Sequence, residues 1–284
     1  MNTFKTTLLL TFMMLLFMGI GYAVGGTDGM YVMFLISAVM NFSSYWYSDK
    51  IILKMYKAQE VNQNNAPELV RMVSNLAKKA GMPMPKVYVI NTDVPNAFAT
   101  GRNPENAAVA ATTGIMRALS YEELEGVMAH ELSHVRNRDT LISTVAATLA
   151  GAITMIARWV FILGAGRHSD DDNGGAIGQI ALMILAPVAA MLIQMGISRS
   201  REFLADEAGA QMTGKPLALA SALKKIETYA QHKKLPDATP ATSNMFIINP
   251  LSGSKVSFAD LFSTHPKTAA RIEKLEEMSL RIKK

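Results

Sequence analysis

The chain contains no cysteine, so disulfide bonds and thiolate metal ligands are both excluded. Any metal site must therefore use histidine and carboxylate side chains. Charged residues are also scarce: they make up 18% of the 284 residues, whereas soluble globular domains contain about 25%. Half of the residues are hydrophobic and the mean hydropathy is +0.17. This composition predicts that part of the chain lies in a membrane.

The formal net charge of +5 is compatible with a nucleic acid or with an anionic membrane surface as partner. The basic residues are spread beside apolar segments, and they do not gather into one patch with interleaved aromatic residues. Such a patch is what nucleic-acid binding requires. We therefore expect the lipid bilayer, and no nucleic acid, among the partners of this chain.

Four apolar runs are long enough to cross a bilayer as helices. They cover about residues 7–24, 30–47, 141–163 and 177–197. Only the short segment Gly25–Gly29 separates the first two, which predicts a helical hairpin that stays in the membrane. A cleaved signal peptide is the alternative for the first run. The second pair contains Arg158 and Pro187, so a buried helical hairpin is the alternative to two spanning helices there.

The distribution of lysine and arginine predicts the orientation in the membrane. The turns inside the two hairpins offer only Arg167, beside three aspartates. Basic residues flank the other ends of the runs: Lys5, Lys50, Lys54, Lys57, Arg136, Arg138, Arg199 and Arg201. Both termini and the polar part of the chain are therefore predicted to be cytoplasmic.

The polar part is predicted to be mainly α-helical with a small β-sheet. A capping box, Ser120 with Glu123, marks the start of a helix that continues to Asn137. Residues 235–257 are rich in Pro, Ser, Thr and Asn and predict a loop. Other predicted helices cover 67–80, 200–212, 216–230 and 265–281, and predicted strands cover 86–90, 96–100 and 107–115.

The helix that starts at Ser120 carries the motif H-E-L-S-H, with His130, Glu131 and His134. Residues four apart lie on one face of a helix, so both imidazoles can bind one ion. A glutamate next to the first histidine is then close to the open coordination position, where it can act as a general base. This spacing predicts the catalytic zinc site of a metallopeptidase. The alternative is an ordinary solvated helix face with two histidines.

A catalytic zinc needs a third protein ligand, and Glu202 is the best candidate. Asp206 follows one helical turn later and can accept a hydrogen bond from a ligand histidine, which fixes the tautomer of that ring. The plain alternative is a helix with salt bridges to Arg199 and Arg201. The other possible third ligands are His168, His232 and His265.

These motifs resemble the HtpX family of bacterial integral-membrane zinc metalloproteases, which are related to the CAAX prenyl proteases. The resemblance covers nearly the whole chain: Asn96 to Gly101, the H-E-L-S-H helix, the hydrophobic hairpin after it, Ser198 to Asp206, and Thr264 to Arg271. It implies a membrane-anchored, zincin-like metalloprotease domain with four transmembrane helices. It also implies one Zn²⁺ per chain at His130, His134 and Glu202.

The resemblance implies roles for further residues. Glu131 is the implied catalytic carboxylate, and Asn96 is implied to lie near the substrate, although the residues alone indicate only a turn position. His265 and Arg271 are implied to stabilise the transition state or to hold the site together. From the residues, we expect the strand edge at 96–100 or at 107–113 to align an extended substrate.

The predicted organisation has four parts. Residues 1–50 form a transmembrane hairpin, 51–140 a cytoplasmic catalytic part with the H-E-x-x-H helix, 141–198 a second transmembrane hairpin, and 199–284 a cytoplasmic catalytic part with the third zinc ligand. The function that the resemblance implies is the cleavage of misfolded or damaged membrane proteins at the cytoplasmic face of the bacterial inner membrane. The sequence leaves the oligomeric state open.

Three other functions compete with this prediction. A transporter is suggested by four spans with an internal arginine, Arg158, but it leaves the cytoplasmic part without a role. A protease with a defined isoprenylated substrate usually has more transmembrane spans. A catalytically inactive adaptor is disfavoured by Glu131 and the intact set of ligands.

Overall fold

The structure is a computed structural model that describes residues 2–150, 153, 199–232, 247 and 266–282. The described part is mainly helical and contains one small mixed sheet. The helices are α1 Asn2–Met55, α2 Pro67–Lys79, α3 Thr113–Ala118, α4 Tyr121–Arg136, α5 Thr140–Ala150, α6 Arg199–Thr213, α7 Pro216–His232 and α8 Thr268–Ile282. The strands are β1 Gln59–Val61, β2 Lys86–Ile90, β3 Ala97–Gly101 and β4 Ala107–Thr112.

Helix α1 is a hairpin of two antiparallel arms that meet at Gly25 and Gly26. Gly26 has φ of 60° and ψ of −146°, a conformation that favours glycine. The arms touch at Gly21 and Gly29, where a Cβ on either residue would collide with the carbonyl oxygen of the other. Farther along, Asn41 Nδ2 donates to Leu10 O across the hairpin at 2.9 Å. The structure therefore contains the predicted N-terminal helical hairpin.

The prediction of four transmembrane helices is not confirmed. In the part of the chain that the structure describes, one segment, Phe4–Tyr22, is long and apolar enough to cross a membrane. The run at 30–47 does not qualify, because Asn41, three serines and three tyrosines make it less apolar. Of the run at 141–163, only residues 141–150 and 153 are described, and the run at 177–197 lies outside the described residues.

The described start of the predicted second hairpin packs against the first. Helix α5 carries Leu141, Val145 and Leu149, which contact Leu9 and Met13 in the first arm of α1 and form one buried apolar cluster. A row of apolar residues on α5 is thus shielded by the hairpin. The alternative between a spanning and a buried second hairpin depends on residues outside the described part.

The sheet has the strand order β1-β2-β4-β3. Strands β2 and β4 are parallel, whereas the two outer strands are antiparallel to their neighbours. Strand β4 is paired on both sides and buried along its whole length. Of the two segments predicted as a substrate-binding edge, only 96–100 therefore lies at an edge. The predicted strand 107–115 is also shorter, because Thr112 caps α3, which begins at Thr113.

Helix α4 lies at the centre of the body, packed against α2, α6, α7 and β3. It begins with the predicted capping box, in which Ser120 and Glu123 exchange hydrogen bonds. Glu123 also accepts hydrogen bonds from Ser221 Oγ at 2.6 Å and Lys225 Nζ at 2.7 Å in α7, so the cap joins two helices. The apolar face of α4, with Val127, Met128 and Leu132, is buried in the main core. The motif helix is thus held on several sides.

Candidate metal centre

The two histidines of the motif face each other on α4. His130 is 1% exposed, and its Nε2 lies 3.2 Å from Nε2 of His134. Helix α6 brings Glu202 opposite both rings, with Oε2 at 3.7 Å from His130 Nε2 and Oε1 at 3.5 Å from His134 Nε2. All three ligand atoms lie within 4.8 Å of one another. The predicted ligand set is therefore gathered at one point.

These distances fit a single ion. Two ligand atoms that each lie about 2.0–2.1 Å from a tetrahedral zinc are about 3.3 Å apart. The two Nε2 atoms are 3.2 Å apart, and each lies 3.5–3.7 Å from one oxygen of the Glu202 carboxylate. Two imidazole nitrogens and one carboxylate oxygen are also the donors of many catalytic zinc sites, in which a fourth position stays open. The residues of this site therefore fit a zinc ion.

A glycine in α6 allows this helix to approach α4 closely. A Cβ on Gly209 would lie 2.8 Å from His130 N and 3.1 Å from its Cα. Ala205 and Ala210, on either side of this glycine, are fully buried. Small residues at the contact bring the two backbones together, and this approach places Glu202 within reach of both rings.

A buried ion pair lies behind His130. Asp206 Oδ1 is 2.9 Å from His130 Nδ1, and the Asp206 carboxylate accepts two hydrogen bonds from Arg271 in α8, each of 2.7 Å. Burial alone would raise the pKa of Asp206, but the charge and hydrogen bonds of Arg271 and His130 hold it below its ordinary value. Asp206 is therefore an anion, and its close contact with Nδ1 can orient the His130 ring.

Arg271 also connects the site to β3. Its Nη1 donates to the carbonyl oxygen of Ile247 at 2.8 Å and lies 3.6 Å from Glu202 Oε2. The backbone N–H of Ile247 in turn donates to Asn96 Oδ1 at 3.3 Å. Asn96 is buried, at 3% exposed, and its amide oxygen is engaged in this chain of contacts. Its contact with a substrate stays a prediction.

A second carboxylate supports His134, and the sequence analysis missed it. Asp139 Oδ2 lies 3.3 Å from His134 Nδ1, and its Oδ1 lies 4.0 Å from Arg201 Nη1. Arg138, with φ of +57°, ends the turn after α4, and the Asp139 N–H donates to His134 O at 2.9 Å. This turn folds Asp139 back under the ring. The only signal in the sequence was an acidic residue five positions after the motif.

The carboxylates around His134 change its protonation in the metal-free protein. Burial lowers the pKa of His134, but the hydrogen bond to Asp139 and the charges of Glu202 and Glu131 outweigh burial and raise it to about 9. A ring nitrogen must be deprotonated to bind a metal. Metal binding at this site therefore displaces a proton.

Glu131 is buried beside the cluster, at 6% exposed. Its Oε2 accepts a hydrogen bond from the backbone N–H of Ala99 in β3 at 3.0 Å. Burial raises its pKa above the ordinary value, although His130, His134 and this hydrogen bond act in the opposite direction. A glutamate with a raised pKa is better suited to accept and return a proton near neutral pH.

The metal-binding group can be identified only within the part of the chain that the structure describes. Among the described residues, the group that can hold a metal consists of His130, His134 and Glu202. His232 is the last residue of α7. His265, the predicted donor to the transition state, and His168 lie outside the described residues.

Comparisons with known proteins agree with this geometry. The sequence model of Peptidase family M48 matches residues 63–279. A protein named Protease HtpX homolog from Thermococcus sibiricus is 55% identical over 280 residues, which are 97% of this chain and 95% of that protein. The crystal structure of Ste24p from S. mikatae superposes with a TM-score of 0.53 at 16% identity. That match covers 96% of this chain and 65% of Ste24p, and it indicates a shared fold.

Proposed function

We propose, from the premise that this chain belongs to peptidase family M48, that it is a zinc-dependent endopeptidase acting at the cytoplasmic face of a membrane. The resemblance to HtpX proteases is confirmed by the family match and by the 55% identical relative. The chain is thus a metallopeptidase. The identity of the metal, the substrates and the location in the cell belong to the proposal.

The arrangement of His130, His134 and Glu202 is the main observation that supports the proposal. Their ligand atoms have the separations expected around one tetrahedral zinc, and a catalytic zinc with three protein ligands keeps its fourth position for substrate or water. Once bound there, the ion would supply Lewis-acid chemistry by polarising the scissile carbonyl. The two rings are held in place by Asp206 and Asp139, which keeps the Nε2 atoms directed at one point.

Glu131 is the proposed general base. It takes the proton of the attacking water and delivers it to the leaving amine, so it must change protonation state within one catalytic cycle. Its burial favours the neutral form, and the neighbouring histidines favour the anion. His265, which the family resemblance assigns to the transition state, stays our candidate for a second donor to the developing oxyanion.

Strand β3 is the proposed binding edge for the substrate. Its other side pairs with β4, while the N–H of Ala99 points to Glu131. Within the described sheet the other edge of β3 has no strand beside it, so an extended peptide added there would pass the metal site. Main-chain hydrogen bonds of this kind tolerate many side chains, so we expect broad sequence specificity.

The α1 hairpin supports a membrane location. Phe4–Tyr22 is apolar enough to span a bilayer, and the second arm exposes large apolar residues that water disfavours, among them Leu35 at 63% and Val39 at 66%. At the end of the hairpin, Ile52 and Leu53 pack with Phe98 of β3 in one cluster. We therefore place the site near the plasma membrane, on the cytoplasmic side, with misfolded or damaged membrane proteins as substrates.

A comparison of wild type with Glu131→Gln tests this function. Both proteins are purified in detergent, analysed for bound metal, and assayed on casein before and after chelation and zinc addition. We expect one zinc per chain in both, and a loss of activity of about 10²-fold or more in the variant, the usual contribution of a general base. A wild-type protein that is inert with zinc bound, or a variant as active as wild type, would contradict the proposal.

A further inference from the structure

A cavity of about 420 Å³ lies where the α1 hairpin meets the connection between β3 and β4. The second arm of α1 contributes Phe42, Trp46, Tyr47 and Lys50 to its walls, and the connection contributes Arg102. The metal site and the substrate edge use none of these residues. The cavity is therefore a separate feature of the molecule.

Two cations are held in this cavity by aromatic rings. The guanidinium carbon of Arg102 lies 4.5 Å from the centroid of the Trp46 ring, and Lys50 Nζ lies 5.5 Å from the centroid of Tyr47. Stacking uses the flat face of a guanidinium and leaves its N–H donors free in the plane of the group. Both charges are thus positioned while their hydrogen-bond donors stay available.

The charge around the cavity favours an anion. Asp49 also lines it, but within the described part of the chain no carboxylate forms an ion pair with Lys50 or Arg102. The lining therefore keeps one net positive charge. An anion with several oxygen acceptors, such as a phosphate group, matches one guanidinium and one ammonium.

The position of the cavity on the hairpin indicates what kind of anion binds there. Phe42, Trp46 and Tyr47 are 43–57% exposed, and their rings contact one another at the end of the apolar part of the arm. Exposed tryptophan and tyrosine followed by lysine are typical of the boundary between hydrocarbon and water. A ligand at this depth lies among lipid headgroups.

We propose that the cavity formed by Trp46, Lys50 and Arg102 binds the phosphate of an anionic membrane lipid. This rests on the membrane placement in the proposed function, and it does not depend on peptidase activity. The aromatic rings would contact the glycerol and upper acyl region, while Lys50 and Arg102 bind the phosphate. Since Arg102 directly follows the last residue of β3, a bound lipid would also fix the end of the proposed substrate edge.

Fluorescence of Trp46 can test the proposal. Trp46 and Trp159 are the two tryptophans of the sequence, so the full chain with Trp159→Phe reports on the cavity alone. In detergent it is titrated with dihexanoyl phosphatidylglycerol, with dihexanoyl phosphatidylcholine and with inorganic phosphate. We expect a saturable change in emission with the anionic lipid and much weaker responses to the other two. Equal affinity for inorganic phosphate would overturn the assignment to a lipid.

Two double variants that remove equal charge test whether the lipid binds in this cavity. Lys50→Gln/Arg102→Gln in the same background should weaken binding of phosphatidylglycerol about tenfold or more. Lys5→Gln/Lys54→Gln removes the same charge from the same end of the hairpin, away from the cavity lining, and should leave binding within about twofold. Arg102→Lys keeps the charge but not the flat group that stacks on Trp46, so its affinity should fall between that of the parent and that of Lys50→Gln/Arg102→Gln. Equal losses in both double variants would mean general charge attraction and would contradict the proposal.

Discussion

The two ligand histidines are supported in different ways. His130 is 1% exposed and rests on Asp206, which is held by two hydrogen bonds of 2.7 Å from the buried Arg271 of a distant helix. The side chain of His134 is 16% exposed and rests on Asp139, five residues along the chain, at 3.3 Å. Arg201 lies 4.0 Å from that carboxylate. Asp206 and Arg271 are far from His130 in the sequence and contact it closely, whereas Asp139 is a sequence neighbour of the more exposed His134 and makes a longer contact.

Because of this difference, we expect the two supports to contribute differently to the stability of the fold and to the affinity for the metal. The pair behind His130 joins α6 to α8 and, through Ile247, to Asn96, so it holds the body together as well as orienting a ring. The pair behind His134 joins the turn after α4 to the start of α6. We therefore expect changes on the His130 side to affect folding and metal affinity, and changes on the His134 side to affect mainly metal affinity.

The largest effect is expected for Arg271→Met. The substitution leaves the Asp206 carboxylate buried without its cationic partner, which costs about 3–5 kcal/mol in similar buried pairs. Chemical unfolding of the metal-free protein in detergent measures this loss. Arg271→Lys should recover little, because an ammonium cannot make the two parallel hydrogen bonds.

A double variant provides the control for this prediction. Asp206→Leu/Arg271→Met removes both charges and should be more stable than Arg271→Met alone, because no unpaired charge stays buried. A single variant with the unfolding midpoint of wild type would contradict the role of the pair in stability.

The next effect in size is that of Asp206→Asn on metal affinity. An amide of the same shape is a weaker acceptor for the His130 ring and no longer balances the charge of Arg271. Loss of such a partner typically weakens metal binding about 10- to 100-fold. Competition with a chromophoric zinc chelator measures the affinity. Unchanged affinity would show that Asp206 does not act through His130.

A smaller effect is expected for Asp139→Asn. The zinc affinity should fall about tenfold, at the low end of the range for such partners, because the contact is longer and partly exposed to water. The unfolding midpoint should change less than in Asp206→Asn. If Asp139→Asn destabilised the fold more than Asp206→Asn, the distinction between the two supports would be wrong.

The last expected effect is a dependence of stability on pH in the metal-free protein. The pKa of His134 is raised from 6.5 to about 9. A raised pKa stabilises the folded state fully below the unfolded value and loses this contribution as pH rises through the folded value. The contribution of His134 should therefore decline between pH 6.5 and 9. Unfolding curves across this range should show a weaker decline in Asp139→Asn, and an identical decline would contradict the assignment.

Much of this site could be predicted from the sequence because its residues have fixed spacing on helices. His130, Glu131 and His134 follow from helical periodicity, and Glu202 with Asp206 follows from the need for a third ligand and a partner. The capping box of α4 was also predicted, since it depends on four consecutive residues. The local rules were sufficient where one helix sets the geometry.

Other features depend on packing that spacing does not encode. Asp139 reaches His134 only through a turn with a left-handed residue, Arg138, and no motif marks it. The strand order of the described sheet places β3, and not β4, at an edge. Among the described residues, one apolar run is long and apolar enough to span a membrane, because Asn41 and several serines and tyrosines lower the hydropathy of the second arm.

The most direct measurement is zinc X-ray absorption spectroscopy of the Glu131→Gln protein, with and without Glu202→Gln. The account predicts two imidazole ligands and oxygen ligands at about 2.0 Å, and a large drop in zinc affinity when Glu202 is changed. A spectrum with three imidazoles, and unchanged zinc affinity in the Glu202 variant, would mean that another histidine completes the site and would contradict the account.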